Sequence, residues 1–312
     1  MATGMGVLAL LSPLPVAPYA DALRRAAPGL DVWTREDDAP PERVEAILAW
    51  RLQPGQLARY PKLRLVCSIG AGVDKLMPSD LPASVPLTRV VDANQGCEIA
   101  QYVLACVLGF TRDLGRYAQQ QAAAQWLRHP VRAAAQCRVG ILGLGAVGQA
   151  VARAFLPLGY PVAGWNRRGE PVPGVEVFSG DAGLAALLAR SDVLVCTLPL
   201  TPATRGLLNR TRLSQLPRGA FVVSVGRGEQ VVEADLHALL DDGQLAGAAL
   251  DVFEREPPEA SNWVWHHPKV IATPHIAAQA SFDTVAAQCL DALRCARDGL
   301  PLPHAVDRAA GY

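Results

Sequence analysis

An α/β protein with two doubly wound, mostly parallel sheets is what this sequence predicts, and three observations carry that expectation. Short apolar runs alternate with stretches of helical spacing almost from end to end, the pattern of parallel strands joined by crossover helices. One stretch, Arg138–Arg168, places a strand, a glycine turn, a helix and a second strand in immediate succession. The 312 residues, 50% hydrophobic and 19% charged, are enough for two domains with buried cores.

Taken in order, residues 6–11 read as a first strand, and Ser12–Pro18 as a proline-rich turn. Tyr19–Ala27 has helical spacing at Ala22, Leu23 and Ala26, stopped by Pro28-Gly29. Val32-Trp33 and Ala46–Trp50 read as strands, Gln56–Tyr60 as a short helix, Leu63–Ser68 and Leu87–Val91 as further strands. Together they predict a small, open sheet. Glu98–Phe110 is strongly apolar and helical, long enough to bridge two domains, and the first boundary is set near its start. Arg116–Leu127 is helix-prone without an apolar stripe and is read as a surface or dimer arm.

The second half continues the alternation. Val139–Leu142 and Pro161–Trp165 are strands around a helix over Gln149–Leu156. Leu184–Ala189 is a helix, Val193–Thr197 a strand, and Leu198–Pro202 a rigid turn at its end. Asn209–Leu216 and Glu233–Gly243 read as helices, and Ala220–Val225, Gly247–Val252 and Val270–Thr273 as strands. Phe282–Gly299 is a long helix expected to return to the first domain.

Composition narrows the class. Twenty-nine basic and 29 acidic residues give zero net charge, which argues against nucleic acid or an anionic membrane as partner. Seven cysteines are scattered singly in apolar settings, with no C-x-x-C pair, as expected of free core thiols in a reducing compartment and of a chain without a zinc site. The run Val7–Leu11 is too short for a signal sequence, and no stretch reaches membrane-span length. A cytoplasmic protein is expected.

The glycine turn carries the first chemistry. Gly143-Leu144-Gly145-Ala146-Val147-Gly148 follows a strand and opens a helix, the context that turns a weak G-x-G-x-x-G match into a dinucleotide-binding one. Gly143 permits the sharp turn, Gly145 lets backbone approach a pyrophosphate, and Gly148 lets helix pack on strand. The amides of Ala146 and Val147 start the helix, where partial positive charge meets phosphate. The second strand ends in Trp165-Asn166-Arg167-Arg168 with no carboxylate before Glu170. Two guanidinium groups suit a 2′-phosphate, so NADP(H) is preferred and NAD(H) remains possible. The domains are then 1–98 with 279–312 for substrate and catalysis, and 99–278 for the dinucleotide. Both are Rossmann-like or flavodoxin-like, with the cofactor expected in the cleft between them.

Three more residues stand at strand C-terminal ends: Arg227, Glu256 and His275. Singly, each reads best as an ordinary loop residue. Side by side on the cofactor edge of a parallel sheet they form a catalytic set, with imidazole as acid or base and a carboxylate fixing its tautomer. Arg227 offers a planar fork for a carboxylate and a carbonyl oxygen. Leu198-Pro199 and Val225-Gly226 lie on the same edge and are assigned to the cofactor. Asp251 is read as a partner of the nicotinamide amide or as a strand-end cap. His266 and His267, beside Trp263 and Trp265, are read as packing or surface residues. After the Leu63–Ser68 strand, the amides of Ala71, Gly72 and Val73 form a candidate anion nest for a substrate carboxylate. Trp50 is a candidate for limiting substrate size.

These segments resemble the D-isomer-specific 2-hydroxyacid dehydrogenase family. The resemblance rests on Gly70–Asp74, Gly143–Gly148, Val225–Gly228, Ala249–Pro257 and Thr273–Ala278, and runs nearly end to end. Within the family the chain is most similar to the bacterial glyoxylate/hydroxypyruvate reductase A group. That likeness rests on length, Ala49-Trp50, Gln125-Trp126, Trp165–Arg168 and the C-terminal Val306–Tyr312. It departs at Asn166-Arg167, where the group often has Ser-Arg. The resemblance implies Arg227, Glu256 and His275 as catalytic residues, NADPH as reductant and a homodimer formed through the coenzyme domain. Reduction of glyoxylate or hydroxypyruvate, with His275 as general acid, is the expected activity. A D-lactate or phosphoglycerate type of dehydrogenase and a non-enzymatic NAD(P) sensor are the alternatives.

Overall fold

The computed structural model describes residues 6–78 and 80–308. The chain divides into two compact units, residues 1–93 with 279–312, and residues 94–278.

The first unit holds β1 (Gly6–Leu10), α1 (Ala17–Ala26), β2 (Asp31–Trp33), β3 (Val44–Ala49), β4 (Leu65–Ser68) and β5 (Leu87–Thr88). The strands pair in the order β2-β1-β3-β4-β5, all parallel. β3 and β4 are buried along their whole length, β4 as an apolar run and β3 as one interrupted by Glu45. β5 is only two residues long, because the sheet edge gives it one partner.

The second unit opens with α2 (Gln95–Thr111) and α3 (Leu114–Ala122). It continues with β6 (Val139–Leu142), α4 (Ala146–Phe155), β7 (Val162–Trp165), β8 (Glu176–Phe178), α5 (Gly180–Arg190), β9 (Val193–Cys196) and α6 (Arg210–Leu213). It closes with β10 (Ala220–Ser224), α7 (Glu233–Asp241), β11 (Leu245–Leu250) and β12 (Val270–Ala272). The seven strands run β12-β11-β10-β9-β6-β7-β8, again all parallel. Strand order reverses between β6 and β9, which opens a crevice at their C-terminal ends where such sheets bind ligands. Its core lies in two apolar layers, one around Leu187, Leu194, Val222 and Leu240, the other around Ile141, Phe155, Val195 and Phe221. α2 lies in the latter layer through Ile99, Val103 and Val107.

α8 (Phe282–Asp298) returns to the first unit and buries Val285, Ala286, Cys289 and Leu293 in the core with Leu48 and Leu65. Ser281 caps its start by accepting from the Thr284 amide, and Gly299, at φ +66°, ends it. In its last turn Arg297 joins Arg64 in pairing with Glu45, a fully buried β3 carboxylate.

The α/β architecture is as the sequence predicts, with local differences. β8 carries no strand signal in the sequence, being three residues on an edge with none of them fully buried. α3 stops at Ala122, short of Leu127, as Ala124 adopts φ +52°. The following segment is exposed, with Trp126 98% accessible. α6 is a single turn rather than a helix over Asn209–Leu216. Of the C-terminal stretch, Val306 packs in the first unit and Arg308 donates to the Pro82 carbonyl at 3.0 Å, while residues 309–312 lie outside the described residues. Among the described residues no helix is long and apolar enough to cross a membrane.

Candidate active site

The turn after β6 has the shape its glycines demand. Gly143 sits at φ +95°, a left-handed conformation that glycine adopts without penalty. A Cβ on Gly148 would lie 1.8 Å from the Gly143 carbonyl oxygen, so only glycine lets α4 start this close to the strand. A Cβ on Gly145 would meet nothing within 4 Å, and no side chain caps α4. The first-turn amides, those of Ala146 and Val147 among them, therefore face open space at the positive end of the helix. That is a cradle for a diphosphate, and the residues present fit one. Thr197 pins it from below, its hydroxyl lying 2.8 Å from the Gly143 carbonyl and 3.0 Å from that of Leu142.

At the end of β7 the chain folds back on itself. The Asn166 side chain accepts from the Glu170 amide at 3.0 Å and donates to the Glu170 carbonyl at 2.9 Å. This closes a loop that leaves Arg167 and Arg168 exposed, with Arg168 3.3 Å from the Glu170 carboxylate. Asn166 thus does its work on backbone, and the two guanidinium groups are the loop's cations.

The ends of β10, β11 and β12 lie side by side. Arg227, half-buried, follows β10, and its amide donates to the Gln230 side chain at 2.9 Å. Next to it, a Cβ on Gly228 would fall 1.8 Å from the carbonyl carbon of Phe253, so this turn rests directly on the chain leaving β11. Three residues along that chain, Glu256 accepts from the Phe253 amide at 3.2 Å. Its two oxygens lie 3.1 and 3.2 Å from Nδ1 of His275, beyond β12. A carboxylate on Nδ1 makes that nitrogen the donor and leaves Nε2 as the working atom of the ring. The Glu256 side chain is 12% exposed and that of His275 26%, so the pair is partly withdrawn from water and still reachable.

Asp251 directly follows β11 and lies deeper, 1% exposed. Its carboxylate accepts from the Thr273 hydroxyl at 2.7 Å and from the amides of Ile276 and Ala277, both at 2.8 Å. Burial raises its pKa above the usual carboxylate range, against the pull of these three donors and of the nearby His275. The group therefore ties down the His275 loop, and the strand-end cap is the role seen here.

In the first unit the loop after β4 is closed by Ser68, whose Oγ accepts from the Gly70 amide and donates to the Gly72 carbonyl, both at 3.1 Å. Ala71 and Gly72 are half-buried and Val73 is buried. The Trp50 ring flanks this loop 3.9 Å from where a Gly70 Cβ would stand, with the Lys75 ammonium 5.1 Å from the ring centre.

Likeness to known proteins decides the family. The D-isomer specific 2-hydroxyacid dehydrogenase, NAD binding domain, matches residues 104–277. The glyoxylate/hydroxypyruvate reductase A of Klebsiella pneumoniae (strain 342) is 35% identical over 298 residues, 93% of this chain and 94% of that protein. The chain belongs to the D-isomer specific 2-hydroxyacid dehydrogenase family. It is thus an oxidoreductase of a nicotinamide-dependent kind. Among solved structures, a family member from Xanthobacter autotrophicus Py2 in complex with NADPH and MES is 40% identical with a TM-score of 0.85, covering 99% of this chain and 100% of that one. The NADPH-dependent glyoxylate/hydroxypyruvate reductase of Sinorhizobium meliloti, in complex with NADP and sulfate, is 35% identical with a TM-score of 0.87 and the same coverage.

The dehydrogenase also has site residues that sequence reasoning missed. Gln230 is fully buried, accepts from the Arg227 amide, and donates to the carbonyls of Leu198 and Pro199 at 2.8 and 3.0 Å. One amide thereby holds the Leu198-Pro199 turn and the Gly226-Arg227 turn together. A Cβ on Gly226 would press to 2.7 Å from the Leu198 carbonyl oxygen, another mark of that closeness. Neither Gln230 nor Thr197 carries a sequence signal, because each looks like any polar residue near a strand end.

His267 and His237 meet Asp241 at 3.4 and 3.5 Å, and the ring of His237 stacks on Trp263 at 4.3 Å. Nδ1 of His267 accepts from the Lys269 amide at 3.2 Å, which leaves its proton on Nε2, aimed at Asp241. The cluster is a hydrogen-bonded, packed surface group. His266 is exposed at the end of the same short turn.

Proposed function

We propose that this dehydrogenase reduces small 2-keto acids, glyoxylate and hydroxypyruvate foremost, to glycolate and D-glycerate with NADPH. The observation that carries the reading is the Glu256–His275 pair, held at 3.1–3.2 Å on the edge where the dinucleotide turn also opens. When bound, the reduced nicotinamide supplies the hydride that reaches C2 of the keto acid. Nε2 of His275 donates the proton to the alkoxide oxygen, and Glu256 keeps the ring oriented and stabilises its positive charge. Arg227 polarises the carbonyl and clamps the carboxylate, held at its backbone by Gln230. The amides of Ala71, Gly72 and Val73 take the remaining carboxylate oxygens, and Trp50 limits the size of the group beyond C2.

The cofactor side is assigned to Gly143, Gly145, Gly148 and the amides of Ala146 and Val147 for the diphosphate. Arg167 and Arg168 take the 2′-phosphate, on a loop shaped by Asn166. Leu198, Pro199, Val225 and Gly226 line the ring side, with Asp251 assigned to the nicotinamide amide. NADPH and NADP accompany the Xanthobacter and Sinorhizobium structures, which supports the same choice here. Residues 94–278 are then the coenzyme domain and the remainder the substrate domain. A cytoplasmic homodimer is the proposed state, with the exposed Leu114, Trp126, Leu127 and Val131 as its contact surface.

The test is the loss of NADPH absorbance with a panel of 2-keto acids. Glyoxylate and hydroxypyruvate should lead; pyruvate leading would favour the D-lactate type, and no turnover would leave the sensor reading. His275→Ala should lower kcat about 10²- to 10⁴-fold with NADPH affinity intact. Unchanged turnover would remove His275 from the chemistry.

A further inference from the structure

Behind the acid–base pair, a chain of hydroxyls leads back into the helix layer. The Tyr102 hydroxyl, on α2, lies 2.6 Å from Thr273 Oγ1. Thr273 has one proton and directs it at Asp251 Oδ1, 2.7 Å away, so Tyr102 is the donor in the outer link. Asp251 then receives the amides of Ile276 and Ala277. Between those residues and Thr273 sits His275 with φ +58°, a left-handed conformation uncommon for a side-chain-bearing residue. Its own amide donates to the Thr273 carbonyl at 3.0 Å.

We infer that Tyr102 and Thr273 are positioning residues for His275: through Asp251 they hold its loop in the left-handed conformation that presents the imidazole to Glu256. The inference deepens the function proposed above and rests on His275 being the acid. The physical reason is that φ near +60° is strained for a non-glycine residue and persists only where surroundings enforce it. Here the ring is fixed by Glu256 and the backbone by Asp251. A buried carboxylate is a firm anchor only if every donor around it is aimed. Tyr102 orients the Thr273 hydroxyl by occupying its lone pair. Burial drives the Tyr102 hydroxyl well above its usual pKa, so it remains a donor across the working pH range. The ionisable groups around Asp251 are Tyr102 and Cys106 from α2 and His275 from the loop itself. Cys106 is also pushed up by burial and stays a neutral thiol.

Tyr102→Phe and Thr273→Val each remove one hydroxyl with little change of shape, and Thr273→Ser restores the one that matters. Tyr102→Phe and Thr273→Val should lower kcat about ten-fold, the scale of a small misplacement of a reacting group, with KM for the keto acid and the NADPH dissociation constant unchanged. Thr273→Ser should stay within about two-fold of the wild type, since it keeps the donor. In ¹⁵N-resolved NMR spectra of the same proteins, the Ile276 and Ala277 amides should lose the downfield shift of carboxylate-bound donors in Thr273→Val and keep it in Thr273→Ser. Wild-type kcat in both hydroxyl-deletion variants, beside an inactive His275→Ala, would overturn the inference and leave the acid assignment standing. An active His275→Ala would strike the acid assignment itself, with the amide shifts still reporting on the loop. A fall in kcat matched by equal losses in NADPH affinity and melting temperature would make the hydroxyls part of the general scaffold, and would also overturn the inference.

Discussion

The turns after β4 and β6 both carry closely spaced glycines, yet the glycines do different work. After β6, Gly143 supplies a positive φ and Gly148 supplies absence of a side chain where two backbones touch; a ten-residue helix follows at once. After β4, Gly70 has ordinary space around it, the loop is tied by the Ser68 hydroxyl, and only a three-residue 3₁₀ turn follows. The first is rigid by sterics and ends on a helix dipole, which suits a diphosphate. The second is shaped by one side chain, which suits the small carboxylate proposed for it. A glycine pattern read as letters does not separate these; what each missing Cβ would strike does.

The sharpest way to break this contrast is a pair of alanine substitutions. Gly148→Ala should cost about 3 kcal/mol, the upper end of overpacking, because its Cβ meets backbone that cannot turn aside. Gly70→Ala should stay within about 0.5 kcal/mol of wild type. Thermal melts and NADPH fluorescence titration check both, and equal melting temperatures for the two variants would end the steric account. Next in size, Arg167→Ala with Arg168→Ala should raise KM for NADPH about ten-fold or more while sparing NADH, as two charge-assisted hydrogen bonds are lost. Parallel loss with both cofactors would show that the loop serves the shared diphosphate.

A smaller loss is expected at the opposite end of β6. Burial alone would raise the pKa of Asp192, but the Arg138 side chain and amide, with Arg132 nearby, outweigh it and hold the carboxyl below its usual range. A depressed pKa contributes stability that is present above the unfolded value and lost as pH falls through the folded one. Arg138→Ala should therefore destabilise by about 0.5–1 kcal/mol at neutral pH, the modest figure reflecting a half-exposed guanidinium, with the gap closing under strong acid. NADPH affinity should not change. A gap that persisted below the carboxylate range would refute the ion-pair explanation.

Most of the fold was legible because its strands are buried and its helices amphipathic, so pattern and packing agree. What escaped had little packing to report. β8 lies on an edge with no fully buried residue, and α3 ends at Ala122 with no glycine or proline to announce it. The candidate site divides along similar lines. Gly143, Gly148, Glu256 and His275 stand in motifs whose spacing is set by strand ends. Tyr102, Thr197 and Gln230 act across the sheet, and no local pattern links Gln230 to Leu198 or Tyr102 to Asp251. Buried polar residues reveal their partners only in three dimensions.

The contact of Gly228 with Phe253 has a consequence for redesign. The segment bearing the guanidinium and the segment bearing the acid partner of the imidazole touch backbone to backbone, so neither can be lengthened or exchanged alone without colliding with the other. A protein engineer wishing to graft a different substrate preference onto this scaffold would have to transplant residues 226–230 and 252–257 as one cassette.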